Sequence, residues 1–198
     1  MLMAFYLLMA FEHLCYNNPM LKFQLKFIDI MVGVVLGLGF QWWPELREPW
    51  QYIAFVFAYL NLIDYWIDYN PIAKRYPLRH ELTEVLIHTL IIFGMFLLVF
   101  GSQKTLPYFL YSFAFYRLAD ILWIWRMKKE HTIPHHDMIF MNTWHVYDAV
   151  EMFSAIAIGF AAAHNVLGPT SALLIFIVIR VATRIASSTH YKKVFFAV

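Results

Sequence analysis

Six apolar stretches, at about 27–43, 51–69, 82–100, 105–125, 138–163 and 171–190, are each long enough to cross a hydrocarbon core of about 30 Å at about 1.5 Å per residue. Hydrocarbon offers no partner to a backbone N–H or C=O, so a chain built this way must form helices or a closed barrel. Barrel strands alternate in character over about ten residues, and no such alternation is present. The chain is 62% hydrophobic and only 14% charged over 198 residues, whereas a soluble domain carries roughly a quarter charged residues. The fold class expected is therefore all-α: a polytopic membrane helical bundle in one domain, residues 1–198, with a six-helix core over 27–190.

Proline and glycine mark most joints: Pro44 and Pro49, Pro71 and Pro77, Gly101, Pro134, then Gly168 and Pro169. Short connections predict antiparallel neighbours. Lys and Arg alternate between the connections. Residues 16–26 hold Lys22 and Lys26; the second connection holds Lys74, Arg75 and Arg79; the fourth holds Arg126, Lys128 and Lys129; the tail holds Lys192 and Lys193. The intervening connections hold Arg47, then Lys104, then no base in 164–170. This pattern predicts an integral membrane protein with both ends of the core cytoplasmic. Trp42, Trp43 and Trp50 then mark an outer aromatic belt, and Trp123, Trp125 and Trp144 an inner one. The apolar segment Met1–Phe11 lacks a basic n-region and reads as a poor signal peptide. Residues 1–20 read as interfacial, ahead of an extra tilted helix or a contact with a neighbouring subunit. Cys15 is the one cysteine, so intrachain disulfides and Cys₄ metal chemistry are excluded. No Walker loop, Rossmann glycine pattern or basic stripe for nucleic acid occurs.

Twelve ionisable residues interrupt the apolar stretches: Asp29, Asp64, Asp68, Glu84, His88, Arg117, Asp120, His145, Asp148, Glu151, Arg180 and Arg184. The antiparallel order puts all of them in the inner half of the bilayer. A charge at that depth costs several kcal/mol unless it meets a partner or water, so each is a candidate for function. Asp64 and Asp68 share a helix face, as do Glu84 and His88, and Arg180 and Arg184. Arg117 and Asp120, three apart, can pair within their own helix. His145, Asp148 and Glu151 follow one another at three-residue steps along one broad face. Seven carboxylates against three arginines predict a polar vestibule, open to the cytoplasm, that favours cations.

Two further motifs stand out. His131, His135, His136 and Asp137 form HTIPHHD in the fourth connection, with a spacing like one histidine box of a membrane di-iron enzyme. Such enzymes need several boxes, and Pro134 breaks the helix that would align this one. A surface His-rich loop is the plain reading, a metal ion bound there the alternative, and no other cofactor is implied. Gly33 and Gly37 form a G-x3-G pair that permits close helix approach, with plain packing the ordinary use.

Residues KFQLKFIDIMVGVVLGLGF carry Phe27 and Asp29 where the first helix of a known family has an Arg-x-x-x-Phe-Ser-Asp motif. Ile28 replaces the serine, and Phe23 stands at the basic position. AYLNLIDYWIDYN places Trp66 in a Trp-x-x-His position, with Tyr69 for the histidine. Over this first third the chain resembles the endosomal and lysosomal potassium channel family and its bacterial relatives. The resemblance implies a multimeric cation pore lined by the first helix, with Val34 and Leu38 as an apolar gate. The reading placed first is thus a homo-oligomeric cation channel in membrane lipid, with Asp29, Asp64, His145, Asp148 and Glu151 on the ion path. Arg117, Asp120, Arg180 and Arg184 would be structural ion pairs. A proton-coupled small-solute transporter built on the same charges is the first alternative. An intramembrane lipid-acting metalloenzyme using the His-rich loop is the second, although a non-enzyme is favoured.

Overall fold

Proline and polar caps start the helices where the sequence turns. Pro49 opens one helix while Gln51 Oε1 accepts from the backbone N–H groups of Arg47 at 2.7 Å and Glu48 at 3.0 Å, satisfying donors that a helix start leaves free. Thr105 caps another, its hydroxyl accepting from Tyr108 N at 3.4 Å. The computed structural model describes residues 19–76 and 81–195. Among these it contains helices and no strand: α1 Pro19–Trp42, a short 3₁₀ turn Trp43–Glu45, α2 Pro49–Arg75, α3 Glu81–Gly101, α4 Leu106–Glu130, α5 His135–Ala163 and α6 Pro169–Phe195. Residues 1–18, where the interfacial segment is expected, lie outside the described residues.

Helix α4 is the centre of the bundle. It packs on α3 and α5, and α5 in turn packs on α6. Two glycines let the neighbours approach it. A Cβ on Gly94 would lie 2.9 Å from the Tyr116 Cα, and one on Gly159 would lie 2.9 Å from the Tyr111 ring. The first approach sets α3 against the turn that carries Tyr116 and Arg117. Aromatic side chains fill the half of the core away from the charges: Phe113 meets Phe176 edge-on at 4.8 Å, and Phe57 lies 5.8 Å from Phe176.

Helices α3, α5 and α6 include segments long and apolar enough to cross a membrane, Leu82–Gly101, His135–Ala163 and Pro169–Thr189. Helices α2 and α4 match them in length but carry ionisable groups. Those of α4 turn inward: Arg117 and Asp120 are buried, while Leu118 and Leu122 face out.

Some expectations shift. Helix α1 begins at Pro19, ahead of position 27. Helix α2 runs through Pro71 to Arg75 instead of stopping there. A proline costs an interior helix one hydrogen bond and a steric clash, but here the last turn is held by the burial of Ile72 and Ala73 and by an ion pair from Arg75 to Asp137. Trp123 and Trp144 are buried in the bundle and form no inner belt; Trp50 is buried too. Gly33 and Gly37 have no atom within 4 Å of an added Cβ, so the G-x3-G face carries no close packing within the described chain.

Helix α5 is closed just beyond its C-cap His164 by Asn165, whose φ of 57° is left-handed. Val166 N donates to Ala161 O at 2.9 Å and Asn165 N to Ala162 O at 3.1 Å, the paired bonds of a Schellman cap. Asn tolerates that conformation and β-branched residues do not, at about 1–2 kcal/mol. Asn165→Val should therefore lower the thermal midpoint in detergent by that equivalent, whereas Asn165→Gly should leave it unchanged or raise it. Equal effects of the two would contradict the cap.

Candidate functional site

Four helices bring their charges to one place. Asn61, Asp64 and Asp68 come from α2, Arg117 and Asp120 from α4, Asp148 and Glu151 from α5, and Arg180, Thr183 and Arg184 from α6. Each set recurs at three- or four-residue steps, so each forms one stripe along its helix. Antiparallel packing brings the stripes to the same level.

Arg117 is at the centre and is almost fully buried. Its Nη1 lies 3.2 Å from Asp148 Oδ1 and 3.5 Å from Asp120 Oδ2, and its Nε lies 2.9 Å from Glu151 Oε2. The last contact is out of line for a hydrogen bond and acts as a Coulomb pair. Arg117 Nη2 donates to Asn61 Oδ1 at 3.2 Å, and the guanidinium lies 5.1 Å from the Phe113 ring centre and 5.0 Å from that of Tyr116. Arg180 forms the next layer. Its Nε donates to the same Asn61 oxygen at 3.2 Å, its Nη1 to Glu151 Oε1 at 3.1 Å and its Nη2 to Asp64 Oδ2 at 2.9 Å. Arg184 is outermost, pairing with Asp64 Oδ1 at 2.6 Å and with Asp68. Thr183 donates to Glu151 Oε1 at 2.6 Å, and Trp144 Nε1 donates to Asp120 Oδ2 at 3.1 Å.

The charges do not balance. Asp64, Asp68, Asp120, Asp148 and Glu151 face Arg117, Arg180 and Arg184, an excess of two carboxylates. Three of the five acids, Asp120, Asp148 and Glu151, are buried and each has an oxygen with no hydrogen-bond partner. Asp120 and Asp148 both approach the same Arg117 nitrogen, Nη1, at 3.5 and 3.2 Å, so the two carboxylates are neighbours whose charges repel. A proton on either one would relieve that repulsion. The same set encloses a cavity of about 30 Å³ lined by Asp64, Tyr65, Asp68, Arg117, Trp144, Tyr147, Asp148, Glu151, Arg180, Arg184 and Ser187. That is room for one or two waters or a small ion. Uncompensated buried charge is expensive, so a proton or a cation bound here would offset the excess.

The charges meet in a compact knot in which the arginines interleave with the acids between the helices, around the small cavity described above. Asp64, Asp148 and Glu151 belong to it, as do Arg117, Asp120, Arg180 and Arg184, the last four as members of one network. His145 is half-buried on α5 and does not line the cavity. Asp29 accepts from Trp66 Nε1 at 2.8 Å on the exposed side of α1 and α2. His88 Nε2 lies 2.6 Å from the Tyr69 hydroxyl, buried between α2 and α3, and the buried Glu84 sits one turn from it. Val34 and Leu38 face outward, 44% and 38% exposed, away from the charged knot. The sequence carried no sign of Asn61 or Thr183 here and suggested Trp144 for an aromatic belt, although each is three or four residues from a charged member of the knot.

The HTIPHHD segment is a tie between helices. Asp137, in the first turn of α5, is buried and pairs with Arg75 at 3.0 Å and His136 at 2.9 Å, and it accepts from the Tyr76 hydroxyl. Burial and the bond to Asp137 push the Tyr76 phenol above its ordinary pKa. His131 packs against the Tyr76 ring, and His135 is exposed. Asp137 is thus already engaged, and among the described residues no group of three or more His, Cys, Asp or Glu is placed to hold a metal ion.

No family model, curated protein or solved structure matches the chain.

Breaking a buried ion network by removing one partner costs about 3–5 kcal/mol, because the remaining charges stay buried and uncompensated. Arg117→Met should therefore lower stability by about that much in detergent unfolding. Arg117→Met combined with Glu151→Gln restores the original charge excess and should be more stable than Arg117→Met alone. A double variant as unstable as the sum of the two singles would contradict a shared network.

Proposed function

We propose that this chain is an integral membrane transport protein that binds and releases a cation, the proton first, at the knot formed by α2, α4, α5 and α6. The observation that carries the reading is the excess of two carboxylates over arginines in the knot, with Asp120 and Asp148 both set against the one Arg117 nitrogen. A purely structural ion-pair network gains nothing from surplus charge, whereas a proton carrier needs a group whose charge changes. Glu151 ties the proton-binding acids to Arg180 on α6, so taking up a proton weakens the hold on α6 and releasing it restores that hold. This is the two-state coupling a proton-driven transporter requires.

Six crossings with both ends of the core on the cytoplasmic side fit the proposal. The alternating basic connections support that orientation, and the inward burial of the charges of α4 supports counting it among the spans. The knot then lies in the inner half of the bilayer, near the cytoplasmic side.

A second reading, a homo-oligomeric cation pore such as a potassium channel, rests on a different observation. The face of α1 carrying Gly33, Val34, Gly37 and Leu38 is open in the single chain. In this reading α1 from several copies would surround the pore, and Val34 and Leu38 would form its apolar constriction.

Purified protein in liposomes with an internal pH dye separates the two. The transporter reading predicts saturable proton flux under an imposed gradient, reduced to background by Asp148→Asn while the protein remains folded. The pore reading predicts non-saturating cation current that Val34→Asp raises and Asp148→Asn leaves in place. Absence of proton flux from folded wild-type protein would overturn the first reading.

A further inference from the structure

Two residues that line the small cavity of the charged knot carry an oxygen with nothing to bond. The Tyr65 hydroxyl and Asp148 Oδ2 are buried and have no hydrogen-bond partner among the described residues. Tyr65 is 4% exposed and Asp148 2%. Aromatic packing holds the Tyr65 ring in place. It stacks on Tyr69 with ring centres 5.4 Å apart and meets Tyr116 edge-on at 5.5 Å and Trp144 at 6.3 Å. Swinging the hydroxyl toward another acceptor would break those contacts. Buried polar groups left in this way are costly, and an ordered water is their usual remedy.

The chemistry of the walls selects the occupant. Both Asp64 oxygens are engaged by Arg180 and Arg184, and Glu151 Oε1 by Arg180 and Thr183. Glu151 Oε2 lies against Arg117 Nε at 2.9 Å. A calcium or magnesium ion takes six or more oxygens, and three arginines line this cavity. An anion would be set against Asp148. Water asks for roughly 10–15 Å³ and two to four polar partners. A cavity of about 30 Å³ with a phenol and a carboxylate oxygen meets both needs.

The cavity also gives the buried acids a way out. Asp64 and Asp68 line it with side chains 30% and 20% accessible, and the buried Asp148 lines it too. Asp120 does not line it, and its Oδ2 takes the Trp144 N–H. Asp148 is therefore the acid of the pair that meets the cavity.

We propose that a water held between the Tyr65 hydroxyl and Asp148 Oδ2 is the port through which the knot exchanges protons, with Tyr65 as its positioning residue. This rests on the proton-binding reading of the knot and names the route by which the proton arrives. In uptake the water gives one proton to Asp148 Oδ2 and takes one from a hydronium ion at the accessible end of the cavity. One O–H bond forms on Asp148, and the hydronium ion is left as water. The bridging water is neutral before and after, and the phenol keeps its own proton. Release runs the same steps backwards. Holding the water at hydrogen-bond distance from the acid is what such a transfer requires.

The test uses the full chain in lipid. A wild-type crystal structure that resolves ordered waters should show one within hydrogen-bond distance of both the Tyr65 oxygen and Asp148 Oδ2. In liposomes, Tyr65→Phe keeps the ring and its packing and removes the hydroxyl alone. It should slow the Asp148-dependent proton flux by about tenfold, the worth of one hydrogen bond. It should also shift the infrared band of the protonated carboxyl, whose bonded water is lost or turned. Tyr116→Phe removes another buried, unpartnered hydroxyl, one that does not line the cavity. It should slow the flux less and leave the band in place. Equal slowing by the two variants, or an unchanged flux and band in Tyr65→Phe, would overturn the proposal. Density at the site that vanishes when choline replaces sodium and potassium would overturn it in favour of a metal ion. A water in place with no proton flux from folded wild-type protein would overturn both the port and the proton-binding reading. Asp148-dependent flux with no water beside Tyr65 would overturn the port alone.

Discussion

Arg117 holds this bundle together through an interaction that is at once necessary and incomplete. One guanidinium reaches three carboxylates and an amide, at four positions on its own helix and on α2 and α5. It cannot neutralise all of them. Buried pairs of this kind add little stability compared with well-packed apolar side chains of the same size, but removing one partner is severe. Two glycines press α3 and α5 against the helix that carries Arg117, and the aromatic cluster around Phe113 packs the other half of the core. The apolar packing therefore holds the charges at fixed positions, and the charges determine which helices meet.

The same arrangement links the network to motion. Glu151 accepts from Arg180 and Thr183 on one side and faces Arg117 on the other. Asp64 bridges Arg180 and Arg184 at the edge of the knot. Any change of protonation at the Asp120 and Asp148 pair alters the field at Arg117, and through Glu151 and Arg180 it reaches α6. Helix α6 packs mainly on α5 and makes limited contact with α2, which it meets through the pairs of Arg180 and Arg184 with Asp64 and Asp68. The coupling here is a chain of direct ion pairs, each with a named partner.

Much of the architecture was legible in the sequence because the bilayer restricts the options. Six apolar stretches and their proline joints located all six described helices, with α1 and α2 longer than expected. Pro71 misled because its cost is local, whereas burial of Ile72 and the Arg75–Asp137 pair stabilise the whole last turn. The acids and arginines of α2, α4, α5 and α6 were identifiable from their depth and spacing. Depth alone could not tell which acids share a pocket: Asp29 and Glu84 lie at a similar level on helices that face elsewhere. Asn61, Thr183 and Trp144 carry no charge and so gave no signal by that criterion. Their positions, one turn from Asp64, Arg180 and Asp148, are the signal that finds such supporting groups. The HTIPHHD segment read plainly as a surface loop, and spacing alone could not show that its Asp137 is buried against Arg75 and Tyr76.

The account depends on the charged knot holding surplus protons when the protein is folded at neutral pH. Infrared difference spectroscopy on the reconstituted protein reads this directly through the C=O stretch of a protonated carboxyl. The account predicts a protonated-carboxyl band at neutral pH that titrates on raising the pH and weakens in Asp148→Asn. A fully ionised wild-type spectrum at neutral pH, with no other cation bound, would contradict it.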